Sequence, residues 1–228
     1  MKKNIAHIIT LSSLIIAILS IIESCNFNFI TSSCFLFACI ILDGVDGFIA
    51  RHLKTDGDFG KQLDSIHDMI AFGVGPGVLI YNFILFEFNN ANLAYTALLI
   101  PICSALRLAN YNIDKKQNKQ FIGLTTPFNA VIFGSLILIK YKETNSFFLE
   151  LIINPSTIII LILITSILLI SPLQTFSLRL DSIIDNKIKW FFIFISICIF
   201  YIFNVSGILI ICCLYVILSL IKQATHLK

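Results

Sequence analysis

Charge is what this chain has least of. Asp, Glu, Lys and Arg make up 13% of its 228 residues, about half the share usual in a soluble domain. With 57% apolar residues and a mean hydropathy of +0.93, that shortage excludes an ordinary soluble domain. It leaves an integral membrane protein with little soluble mass. No basic stretch interleaved with aromatics is present, which argues against a nucleic-acid surface. The seven cysteines lie mostly inside apolar runs and none has zinc-ligand spacing. Adjacent Cys212 and Cys213 read as small apolar residues. Internal repeats and low-complexity tails are absent as well.

What the chain has is a series of apolar runs separated by short polar stretches. Lys2 and Lys3 precede a run from Ile5 to Ile22 that is long enough to span a bilayer. The pattern resembles a secretory signal, with Cys25 where a lipoprotein would be cleaved. Glu23 is a poor residue just before such a cut, so a retained first helix is expected. Further helices are expected over Phe29–Ala50, Phe59–Phe86 and Leu93–Asn110, the last kinked at Pro101. After the polar stretch Asn112–Gln120, a fifth should run over Thr125–Ile139. Asn154 as N-cap and Pro155 in the first turn start a sixth, ending near Ser171. Phe147–Ile153 is either its extension or an interfacial piece. The polar stretch Ser177–Lys189 leads to two short spans, Ile188–Phe203 and Gly207–Ile221, joined by a turn at Asn204–Gly207. The expected fold is all-α, a polytopic membrane helix bundle of eight spans. Its six-helix core covers residues 1–171, and a loop with a C-terminal helix pair covers 172–228.

The basic residues support this count. If successive loops alternate sides, fourteen of the sixteen Lys and Arg residues fall on the side of the termini, with only Lys140 and Lys142 opposite. Such a bias marks the cytoplasmic side. Both termini are therefore expected there, together with the loop after the second helix.

That loop interrupts the most polar stretch of the membrane region, DGVDGFIARHLKTDGDFGKQLDSIHD, from Asp43 to Asp68. Its spacing is Asp-x2-Asp-Gly-x2-Ala-Arg-x8-Gly-x3-Asp-x3-Asp. At about 100° per residue, Asp43, Asp46, Gly47, Ala50 and Arg51 fall within roughly 140° of one helix face. Gly60, Asp64 and Asp68 fall within roughly 80° of another. Two helices joined by a polar loop can thus turn four carboxylates towards one another. One charge near the bilayer centre costs roughly 2.5–3.5 kcal/mol on insertion scales, so four uncompensated carboxylates would be prohibitive. A divalent cation is the economical compensation, and oxygen ligands suit Mg2+ or Mn2+. Gly47, Ala50 and Gly60 lack bulk, which suits either a ligand approaching the backbone or close helix packing. Asp56 and Asp58 fall in the loop and read as solvated acids. Ser65 and His67 flank the carboxylate stripe.

This spacing matches, without a gap, the signature of the CDP-alcohol phosphatidyltransferase family, which the chain therefore resembles. Downstream, LDSIHDMIAFGVGPG at 63–77 is similar to the LDSLADxxSFGVAPA of the phosphatidylserine synthase branch. CSALRLANYN at 103–112 looks like that branch's SALRLARFN, and FIGLTTP at 121–127 like its FxGLPxP. Residues Ser171–Leu173 and Ser177–Arg179 resemble its later part. The chain departs from the pattern at Thr125, Asn110 and His67, where proline, arginine and alanine are usual. His7 and Ser13 stand where asparagines are typical, whereas Thr10 fits.

The resemblance implies a six-helix CDP-alcohol phosphotransferase core in a bacterial inner membrane, with the active site facing the cytoplasm. It implies transfer of the phosphatidyl group from CDP-diacylglycerol to L-serine, giving phosphatidylserine and CMP, assisted by Mg2+ or Mn2+. Asp43, Asp46, Asp64 and Asp68 would hold the metal, and Asp68 would be the general base. Asp46, Gly47, Ala50, Arg51 and Gly60 would bind the CDP-linked substrate. Arg51 is otherwise a cytoplasmic anchor. Arg107 is a candidate for the acceptor carboxylate or a substrate phosphate, or else snorkels to the interface. A homodimer is also implied. Glycerol 3-phosphate or an inositol compound is the alternative acceptor. A cation transporter would need a polar path onwards, but Phe29–Leu42 and Val78–Phe86 are apolar.

Overall fold

In a computed structural model, described for residues 2–53, 57–113, 121–142, 149, 152–175 and 187–226, the chain is an all-α bundle. In order it forms α1 (Lys2–Cys25), α2 (Phe29–Leu53), α3 (Asp58–Asp68), a π-helical turn (Met69–Val74) and α4 (Gly75–Phe88). Then follow α5 (Ala91–Ala94), a 3-10 turn (Tyr95–Leu98), α6 (Leu99–Ile113), α7 (Thr126–Lys142), α8 (Pro155–Ile170), α9 (Lys187–Phe203) and α10 (Ser206–His226). Because α3 runs through the π turn into α4, and α5 through the 3-10 turn into α6, these segments make the eight expected rods. Among the described residues, four rods are long and apolar enough to cross a membrane: His7–Cys25, Phe29–Ile49, Phe59–Phe88 and Ala91–Ile113. The chain is an integral membrane protein.

Local chemistry sets the rod ends. Asn89 and Asn204 take left-handed conformations after α4 and α9, at φ 49° and 50°, as asparagine does more readily than bulkier residues. The Asn154 side chain accepts from Thr157 N–H at 2.8 Å with Pro155 in the first turn, the start expected from sequence. Pro101, where a kink is expected, lies in the first turn of α6, directly after the 3-10 turn. Phe147–Ile153 lies largely outside the described residues. Within the apolar rods, hydroxyls turn back onto their own backbone, as Ser33 does to Phe29 C=O at 2.9 Å and Ser219 to Tyr215 C=O at 2.8 Å. In lipid this avoids an unsatisfied polar group.

The rod from α3 to α4 runs through the middle. Phe72, Leu79, Phe83 and Ile84 on it pack with Leu36 of α2 and with Phe133 and Leu136 of α7. Residues 132–139 of α7 are all buried, as for a helix surrounded by others. Helix α10 packs against α7 and α9 and brings Cys212 into the same core. At the end of α4, Glu87 pairs with Lys140 of α7. One of the two basic residues on the sparsely charged side is thereby neutralised.

One feature lies outside the all-helical expectation. Phe121–Ile122 (β1) and Gln174–Thr175 (β2) form a two-residue antiparallel pair. Gly123 follows at φ +80°, donating its N–H to Leu173 C=O at 2.8 Å, and Leu124 N–H reaches Leu168 C=O at 3.1 Å. This clasp ties the approach to α7 onto the end of α8, and so sets where Thr126 enters the bundle.

Candidate active site

Asp43 and Asp46 sit about one turn apart on α2, and Asp64 and Asp68 one turn apart on α3, so two helix faces supply all four carboxylates. Ligand atoms of Asp43, Asp46 and Asp64 lie within 4.8 Å of one another, as do those of Asp43, His67 and Asp68. Asp43 belongs to both groups. Asp46 is buried, at 4% exposure, whereas the Asp43 and Asp68 side chains keep 26% and 17% and Asp64 is exposed. The cluster is therefore open on the Asp64 side and closed behind Asp46.

Other helices hold these acids in place. From α1, the Thr10 hydroxyl donates to Asp46 Oδ2 at 2.7 Å, and Ser13 Oγ lies 2.8 Å from His67 Nε2. Also on α1, the His7 ring packs directly against Gly60. A Cβ there would meet His7 Cε1 at 2.9 Å. From α7, Thr126 donates to Asp68 Oδ2 at 3.2 Å. From α6, Arg107 comes close enough to Asp68 to interact electrostatically, and it is 9% exposed. It does not snorkel to the interface. Tight packing at the π turn keeps α6 near: a Cβ on Gly73 would sit 3.1 Å from Ser104 Cβ, and one on Gly77 2.8 Å from the Pro101 ring.

The four signature aspartates thus meet as the spacing predicts, and Gly47 and Gly60 lie on the same helices. Ala50 and Arg51 belong to α2, but their side chains are outside the described residues, as are Asp56 and the Asp58 side chain. Ser65 turns away from the cluster, donating to Lys61 C=O at 3.1 Å and bonding Asn112 of α6. His67, read from sequence only as a flanking residue, points into it. Thr126 was not singled out at all. Its bond to Asp68 spans 58 positions, so no local spacing marks it.

A cation fits this donor set. Three carboxylates in one group and two carboxylates with an imidazole in the other make a concentrated anionic site. Asp68 Oδ1 and His67 Nδ1 are buried without a hydrogen-bond partner, which is costly unless something positive satisfies them.

Two helical rods thus turn paired Asp-x2-Asp and Asp-x3-Asp faces together within a membrane protein. The sequence model for CDP-alcohol phosphatidyltransferase matches residues 3–168, and the chain belongs to that family. It is 33% identical over 219 residues to a CDP-diacylglycerol–serine O-phosphatidyltransferase of Methanocaldococcus jannaschii, covering 96% of each chain. It is 29% identical over 220 residues to the enzyme of the same name from Helicobacter pylori, covering 84% of this chain and 92% of the relative. An archaetidylserine synthase of Methanothermobacter thermautotrophicus is 31% identical over 140 residues, 60% of this chain and 59% of the relative.

Proposed function

We propose that the chain transfers the phosphatidyl group of CDP-diacylglycerol to L-serine, releasing CMP and forming phosphatidylserine. The observation that carries this reading is the meeting of Asp43, Asp46, Asp64 and Asp68, with Asp68 held by Thr126 from a third helix. The names of the relatives support serine as acceptor. The four aspartates would hold a divalent ion, Mg2+ or Mn2+, which when bound would supply charge neutralisation. Asp68 accepts the proton of the serine hydroxyl as its oxygen bonds to the phosphatidyl phosphorus and the bond to CMP breaks. Thr126 fixes which Asp68 oxygen remains available. Arg107, buried beside Asp68, pairs with the serine carboxylate or a substrate phosphate. Gly47, Ala50, Gly60 and Arg51 are assigned to the CDP-linked substrate on the strength of the family signature.

All these residues lie within 1–171, the proposed catalytic core, with 172–228 covering it through α10. The excess of Lys and Arg on the side of the termini supports a site that faces the cytoplasm. The assay is CMP release from CDP-diacylglycerol by membranes containing the chain. Release is expected only with serine and a divalent cation. Release with glycerol 3-phosphate or an inositol compound, but not serine, would overturn the acceptor while leaving the family chemistry intact.

A further inference from the structure

Among the described residues, one group aimed into the aspartate cluster has no role in the chemistry above. The His67 ring is fully buried, at 0% exposure, and stands edge-on to Phe72 with centroids 5.5 Å apart. Its Nε2 lies 2.8 Å from Ser13 Oγ on α1, while its Nδ1 has no hydrogen-bond partner. That free nitrogen is 3.9 Å from Asp43 Oδ1 and 3.9 Å from Asp68 Oδ1, and Asp68 Oδ1 is itself unpartnered.

We propose that His67 Nδ1 is a direct ligand of the divalent ion, making one end of this centre a mixed nitrogen and oxygen site. The proposal rests on reading the aspartates as the metal centre. A structural histidine–aspartate contact would close to a hydrogen bond of about 2.7–3.2 Å. A separation of 3.9 Å is too long for that. It is short enough for both atoms to reach one ion at about 2.1 Å after a small closing shift of the side chains. Ser13 supplies what such a ligand needs. With the proton on Nε2 donated to the Ser13 hydroxyl oxygen, the Nδ1 lone pair faces the carboxylates and the ring is held in plane. Ser13 and His67 are also two of the positions at which the sequence leaves the synthase pattern, and the fold bonds them to each other across 54 positions.

The consequence concerns ion selection. Asp43, Asp46 and Asp64 offer only oxygen, whereas the group Asp43, His67 and Asp68 offers an imidazole as well. Imidazole favours transition-metal ions over magnesium, so the site should prefer manganese more strongly than four carboxylates alone would.

The test uses the full chain in lipid nanodiscs, stripped of metal and loaded with Mn2+, read by pulsed electron paramagnetic resonance. The wild-type protein should show nitrogen hyperfine modulation from a bound imidazole, and isotopic labelling of histidine nitrogen should change its pattern. In His67→Gln the modulation should vanish while Mn2+ still binds, with the preference for Mn2+ over Mg2+ falling about tenfold or more. Because labelling reads the wild-type chain directly, a variant that fails to fold does not shelter the idea. Bound Mn2+ without nitrogen modulation would overturn the His67 assignment and leave the aspartate centre standing. No saturable Mn2+ binding would overturn both.

Discussion

Thr10→Val removes one hydroxyl and keeps the branched shape, and its effect can be worked from the geometry. The Thr10 hydroxyl donates to Asp46 Oδ2 at 2.7 Å, and Asp46 is 4% exposed. Water therefore cannot easily replace the donor. A hydrogen bond to a carboxylate in such a setting is worth about 1.5–3 kcal/mol. Asp46 would keep its charge but lose the partner that orients it, so the loss should appear in metal affinity. At about 1.4 kcal/mol per decade, the energy corresponds to roughly 10- to 100-fold, the range seen when partners of metal ligands are removed. CMP release measured against Mg2+ or Mn2+ concentration should show the activating concentration rising by that factor. Turnover at saturating metal should recover, and calorimetry on the metal-free protein should give the same shift. An unchanged metal dependence would refute the reasoning. A turnover loss that excess metal fails to restore would mean that Thr10 acts on the substrate instead.

Three further outcomes follow from other contacts. Asp68→Asn keeps the shape and the Thr126 bond but removes the proton acceptor. Turnover should fall by about 10²–10⁴ while CMP binding by titration persists, and near-normal turnover would sink the base assignment. Gly123→Ala places a Cβ 2.6 Å from Leu169 C=O at φ +80°, so it should destabilise the protein by about 1–3 kcal/mol. Thermal unfolding in detergent would reveal this, and an unchanged midpoint would contradict the clasp geometry. Lys140→Met strands Glu87, whose side chain is 24% exposed. The single change should cost about 1 kcal/mol and the Lys140→Met/Glu87→Gln double less than the sum. Strict additivity in unfolding experiments would show that the pair contributes nothing.

The carboxylate cluster was legible in the sequence because charges are so rare here. Four acids at helical spacing in a chain with 13% charge leave few other arrangements. The eight rods were legible for the same reason, since polar interruptions between apolar runs are easily seen. His67 was harder. Its partner Ser13 lies 54 positions away, and only the packing of α1 on α3 joins them. Nor does any apolar period mark the clasp of β1 and β2, which are two residues each, or show that Arg107 is buried rather than turned to the interface. Such features depend on which rods touch, and amphipathic periodicity says little about that when helices are apolar on every side.

The π turn at Met69–Val74 begins one residue after Asp68. A single wide turn adds about one residue to the winding, which rotates everything beyond it by about 100° relative to an unbroken α-helix. The rod therefore has two independent phases. Before the turn, its azimuth is set by what Asp64, His67 and Asp68 must face. After it, the azimuth is set by the fit of Leu79 and Phe83 in the core. Without that step, one helix would have to satisfy both demands with a single angle, and either the acids or the apolar face would be misaimed. The wide turn works as a gear between chemistry and packing. Shortening it by one residue would swing the acids away from Asp43 and Asp46 without altering any of them.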